Sequence, residues 1–192
     1  MQQFPHTPRG PVAPTKSVSV KSVSNRLIAY GLGAVVLFTA ACAVEPSSKG
    51  KNFKGRYLVA RDALESGSYK KAISSYKTMM PEAGPLEARL RLEYAHSLLR
   101  SDKFIEAGRE ARLVAANQQG DGRLAALAVQ GTADHEAAKA ALAAGQNDTA
   151  TKARLAAAGS ALDAVLEQAE IFDPLGTLAS RRAEIKNTLA GL

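Results

Sequence analysis

Past the first quarter of the chain, apolar residues recur at helical spacing, and they do so twice in the same arrangement. The stretch YLVARDALESGSYKKAISSYKTMM, starting at Tyr57, aligns with LEYAHSLLRSDKFIEAGREARLVA, starting at Leu92, at a constant offset of 35 positions. Ala60 falls over Ala95, Ala63 over Leu98, Leu64 over Leu99, Gly67 over Asp102, Tyr69 over Phe104 and Ala72 over Ala107. Each unit predicts a helix, a short turn, and a second helix that opens on an aromatic residue with Ala three positions later. Gly67 can take a positive φ to end the first helix, and Ser68 offers a hydroxyl to cap the next. Ser101 and Asp102 are expected to do the same in the second unit. The alanines let antiparallel helices approach closely, so each unit reads as a helical hairpin with a small-residue seam.

A third unit aligns through Ala138, Ala141, Leu142, Gly145 and Ala150, now at an offset of 43 from the second. The longer offset places about two extra helical turns in the run from Gly122, and Gly131 predicts a kink or break within it. The stretch from Thr149 to Phe172 then reads as one long second helix, ended by Asp173 and Pro174. A last amphipathic helix is expected from about Thr177, with Leu178, Ile185 and Leu189 on one stripe.

The segments ALESGSYKKAISSY and SLLRSDKFIEAGREA resemble the tetratricopeptide repeat, over about residues 53–118. The early aromatic of that repeat is missing from the first unit, where Arg56 or Tyr57 stands. A generic helical hairpin fits the same residues. The resemblance implies an all-α fold of helical-hairpin repeats, a TPR-like α-solenoid over residues 53–192, with the last helix capping the array. It also implies that the first helix of each pair lines a concave face.

Ahead of this domain, residues 27–41, LIAYGLGAVVLFTAA, form an uncharged, mostly apolar run. It is shorter than the roughly 20 residues a membrane-spanning helix needs. A basic stretch before it and small residues at its end predict a secretory signal peptide over residues 1–41. FTAAC, residues 38–42, resembles the lipobox of bacterial lipoproteins, although Thr39 stands where Leu is usual. That resemblance implies that the thiol of Cys42 is acylated and that the protein is tethered to a membrane by lipid. Ala43, where an inner-membrane retention signal would sit, implies the periplasmic face of the outer membrane. Residues 42–52 would then be the lipidated N-terminus and a flexible tether, since VEPSSKGKN has no periodicity.

Charge changes the picture only when it is located. The formal charge of +7 and pI near 9.6 resemble those of a nucleic-acid binder. Arg9, Lys16, Lys21 and Arg26 precede Cys42 with no acid among them, so the remainder carries 25 − 4 = 21 basic residues against 18 acidic ones. That is +3, ordinary for a protein surface, and nucleic acid is not the expected partner. Aromatics at 5 %, no Trp and abundant Ala agree with packed helices. A single Cys leaves no disulfide framework and no Cys-based metal site.

Chemistry is thinly signalled. His96 and His135 fall in helical runs and are expected to be exposed; Asp134, His135 and Glu136 do not make the zinc pattern, because no second His follows. Glu65, Glu93 and Glu110 show no pairing of the kind that glycan cleavage needs. The chain is therefore read as a non-enzyme without cofactor, metal or small-molecule substrate. What the alignment offers instead is a surface: Arg61, His96 and Lys139 take equivalent places in successive first helices, with Lys54, Tyr57, Arg89 and Arg100 nearby. The expected groove takes an acidic segment of a protein partner, Tyr57 serving as apolar anchor. The expected function is a lipid-anchored periplasmic protein–protein interaction scaffold of the bacterial envelope, of the kind used in assembling envelope or pilus machinery. A signal-anchored inner-membrane repeat protein, or an accessory that binds peptidoglycan or another envelope polymer, is the alternative.

Overall fold

The computed structural model describes residues 48–192, with side chains from Asn52 onward. The expected signal peptide and Cys42 lie outside the described residues. Within them the chain is all-α: α1 (Ser48–Glu65), α2 (Tyr69–Met79), two 3-10 turns (Met80–Glu82 and Gly84–Leu86), α3 (Glu87–Leu99), α4 (Phe104–Asn117), α5 (Gly120–Ala143), α6 (Thr149–Leu166), α7 (Ala169–Phe172) and α8 (Thr177–Ala190). Consecutive long helices pack against one another, α8 returns onto α6 and α5, and α3 also touches α5. No helix among the described residues is long and apolar enough to cross a membrane.

The seam alanines do the packing expected of them. Ala60, Ala72, Ala95, Ala107 and Ala138 are all fully buried, as small residues at a close helix contact should be. Apolar clusters follow one another along the chain: Tyr76, Met79 and Leu90 bind α1–α3, Leu98, Ala107 and Ala133 continue into α5, and Leu155, Leu162 and Ile185 close the C-terminal end. Ile185 is fully buried and the half-buried Leu178 and Leu189 pack on that last cluster, so the stripe on α8 faces the core as its periodicity requires.

Several local expectations are corrected. Residues 48–52 are not tether but the first turns of α1, a helix anchored where Phe53 and Tyr57 pack on the first cluster. Gly67 and Asp102 do take positive φ, +78° and +59°. Neither Ser68 nor the residue preceding α4, Lys103, caps through its side chain. The side-chain cap occurs instead at α6, where Asp148 accepts from the Thr151 amide at 2.8 Å. The turn before α6 spans five residues, 144–148, against four, 100–103, before α4. This extra residue shifts the seam by one position: Thr151 is buried and Ala150, aligned with Ala107, is exposed.

Gly131 does not break α5, which runs on from Gly120 to Ala143. A Cβ there would lie 2.7 Å from Leu162 Cδ2 and 3.2 Å from the Ala158 carbonyl, so the missing side chain lets α6 approach. Gly108 does the same for Asp134, whose Oδ1 would be 2.9 Å from an added Cβ. The long helix from Thr149 is two helices, parted at Glu167 and Gln168 where the Gln168 amide turns back to the Val165 carbonyl. Asp173 then starts α8 by accepting from the amides of Leu178 and Ala179 at 2.9 and 2.8 Å.

Candidate functional site

A groove runs across α1, α3 and α5. It consists of two adjoining hollows of about 480 and 680 Å³ that share His96, Arg100 and Val129. The smaller is walled by Arg61 and Leu64 of α1, Tyr69 of α2, Leu92 of α3 and Ala125 of α5. The larger continues past Phe104 and Thr132 to the segment from Phe172 to Leu178, with Glu136 and Arg181 on its wall. Leu175, 89 % exposed, stands at this rim.

Arg61, His96 and Arg100 are thus brought together, but not as an unpaired basic stripe. Arg61 donates to Glu65 at 2.6 Å and to Glu93 at 3.2 Å. Those partners, with the Tyr57 hydroxyl, push its guanidinium above the ordinary arginine range. Arg100 stacks over the Tyr69 ring, 5.6 Å from its centroid, and donates to the Tyr69 hydroxyl through Nε and Nη2 at 3.1 and 3.0 Å. Among the described residues no carboxylate pairs with it. His96 keeps an exposed flank, yet its imidazole is held below the ordinary value, first by loss of water in the groove and then by Arg100.

Two expected site residues are placed differently. Lys139 lines neither hollow: α5 presents Ala125, Val129, Thr132 and Glu136 there. The extra turns of α5 carry Lys139 beyond the groove, where its Nζ lies 3.3 Å from Glu184 and 3.9 Å from Glu136. Tyr57 is no free apolar anchor. Its hydroxyl donates to Glu93 at 2.8 Å, its ring meets Tyr76 edge-on, and Arg89 sits 5.8 Å above it.

The carboxylates that look isolated in the sequence are the cross-links of the fold. Glu93 accepts from Tyr57 and Tyr76 hydroxyls, both at 2.8 Å, and from Arg61, tying α3 to α1 and α2. Burial, followed by the bond to Glu93, pushes the Tyr76 phenol well above its ordinary range. Glu110 of α4 holds Arg91 of α3 at 2.6 Å. Asp134 of α5, 1 % exposed, holds Arg112 of α4 at 2.8 Å and faces Arg154 of α6 at 3.4 Å. Such pairs give a buried charge its counter-charge and donors, without which it would be costly to bury.

His135 is not exposed but fully buried. Its Nδ1 lies 2.8 Å from Arg181 Nη1 on α8, and because a guanidinium can only donate, Nδ1 accepts and the ring proton sits on Nε2. Nε2 is buried without a hydrogen-bond partner, with Glu184 Oε1 at 3.9 Å. Arg181 also donates to Glu136. The nearest signal in the sequence is that residues 124–133, just ahead of it, contain no charge, as in a central helix, although His135 itself stands between two acids. No three-member cluster of metal-ligating side chains forms among the described residues.

Comparison of the chain with protein-family models, with curated proteins and with solved structures finds no match.

Proposed function

We propose that this protein is a non-catalytic scaffold: helical-hairpin repeats of TPR-like, α-solenoid type whose groove captures a segment of another protein at the bacterial cell envelope. Support for the repeat reading comes from Gly67, Asp102 and Gly145, which stand at aligned places and take φ of +78°, +59° and +78°. Ala60, Ala95 and Ala138, also aligned, are all fully buried. On this reading α8 is the cap that shields the last apolar face. The signal peptide and the acylated Cys42 would hold the domain on the periplasmic face of the outer membrane.

One observation carries the groove reading. Arg100 is oriented by Tyr69 at the junction of the two hollows, has no carboxylate partner among the described residues, and faces an apolar wall of Val129, Phe104 and Phe172. The fitting ligand is a segment that sets apolar side chains in the larger hollow and one carboxylate on Arg100. Pairing of Arg61 and Lys139 within the fold concentrates acid recognition at this one position, with His96 beside it. Nucleic acid, cofactor and small substrate have no part in this reading.

The test is site-specific photo-crosslinking in the native envelope. A crosslinker at Val129 should trap a protein that one at Leu113, on α4 outside the groove, does not, and Arg100→Glu should reduce that capture at least tenfold. Equal products from both positions would sink the groove reading. The anchor is tested apart from it, by fatty-acid labelling of wild type against Cys42→Ala; label retained by the variant would remove the lipoprotein assignment.

A further inference from the structure

The contact between α5 and α8 contains a titratable group that segment capture does not use. His135 is closed to solvent, with one ring nitrogen accepting from Arg181 and the other without a partner. The charged groups facing it are Glu136 and Lys139 from its own helix and Arg181 and Glu184 from α8. Arg112 of α4 and Arg154 of α6, the helices packed on the other sides of α5, are directed at Asp134. Arg181 and Glu136 both line the larger hollow of the groove.

A proton added to this imidazole has one place to go. Nε2 already carries a hydrogen, so the second enters at Nδ1, where it sets N–H against N–H and positive charge against positive charge at 2.8 Å from Arg181. His135 is fully buried, so solvent does little to screen that repulsion and the contact is disfavoured. The imidazolium meanwhile gains an attraction to Glu184, whose Oε1 is 3.9 Å from Nε2 and is otherwise shared with Lys139. Both changes act on α8, one turn apart: residue 181 is repelled and residue 184 is drawn in.

We propose that His135 is a proton-operated latch between α5 and α8. Neutral, it holds Arg181 beside Glu136 in the groove wall; protonated, it expels Arg181, shifts α8 and lowers capture of the partner segment. The effect on capture rests on the groove reading above, while the movement of α8 does not.

The test uses the isotope-labelled full chain in detergent micelles, followed by NMR from pH 8 to 5. At pH 8, His135 should appear as the Nε2–H tautomer. On acidification, the signals of Arg181, Glu184 and Ile185 should shift with the same midpoint as the imidazole. In His135→Asn, whose side-chain oxygen replaces the Nδ1 acceptor and cannot titrate, the shift of α8 should vanish. In Arg181→Gln, which keeps a donor without the charge, the His135 midpoint should rise; this second variant keeps the idea testable if the first does not fold. A His135 that titrates without any response in α8, or an α8 shift that persists in His135→Asn, would overturn the latch. If α8 moves while Val129 crosslinking is the same at pH 7.5 and 5.5, the latch stands and its consequence for the groove is refuted.

Discussion

Gly131→Ala puts the close approach of α5 and α6 to a quantitative test. Helix propensity alone favours Ala over Gly in a helix interior by about 1 kcal/mol, and Gly131 is mid-helix with no positive φ to protect. Against this, the new Cβ would stand 2.7 and 2.8 Å from Leu162 Cδ2 and Cγ, and 3.2 Å from the Ala158 carbonyl. Cγ is the branch point of a fully buried side chain, so relief requires Leu162, and with it part of the C-terminal cluster, to shift. Overpacking of this kind costs roughly 1–3 kcal/mol. The balance is a destabilisation of roughly 0–2 kcal/mol. Gly55 is the internal standard: it lies in α1, and a Cβ added there would meet nothing within 4 Å, so Gly55→Ala should be stabilising by up to about 1 kcal/mol. Thermal and urea unfolding of the full chain, followed by circular dichroism, should therefore separate the two Gly→Ala variants by about 1–3 kcal/mol, or several degrees in Tm. Trimming Leu162 to Val in the Gly131→Ala background should recover part of the loss. If both glycine variants are stabilised alike, the close contact of α5 with α6 is wrong.

Glu93→Ala should destabilise by about 1–3 kcal/mol, because it leaves the buried Tyr76 hydroxyl without an acceptor, and Glu93→Gln should cost less because its amide oxygen still accepts; equal losses in urea titrations would count against Glu93 as the junction of three helices. Both His135 and His96 sit below the ordinary imidazole value, burial being the first cause in each. The unfolded chain therefore takes up protons near pH 6.5 while the fold resists. Their contribution is fully present above that pH and is lost as pH falls below it, and His135→Asn should flatten the decline measured by denaturant midpoints. Asp148→Ala should lower stability more than Ser68→Ala, since of these two only Asp148 holds a helix amide with its side chain; the reverse order in melting experiments would refute that account of the two turns. Leu175→Ser should leave Tm unchanged, since the side chain is 89 % exposed, yet weaken crosslinking at the groove; a fall in Tm would place Leu175 in the core.

How much of the fold and the groove is legible in the sequence depends on the range of the forces concerned. Helix existence, the hairpin turns at Gly67 and Asp102 and the alanine seam follow from spacing and local backbone preference, which act within a few residues, and the structure agrees with them. The same locality explains the errors at Ala150 and in the break after Leu166, where one residue of loop length or one turned-back amide moves a boundary without changing composition. Charged side chains are the least readable. Arg61 and Lys139 look like a solvated basic stripe along the chain, but Arg61 meets Glu93 across 32 positions and Lys139 meets Glu184 across the α5–α8 contact. Whether a charge is a free recognition group or half of a cross-link is decided by what a different helix brings to it. Gly131 and His135 make the same point from inside the core: local propensity marks the first as a weak place in a helix and the second as surface. Tertiary packing makes Gly131 a point of close approach and His135 the buried partner of Arg181, because burial and close contact depend on neighbours that are distant in sequence.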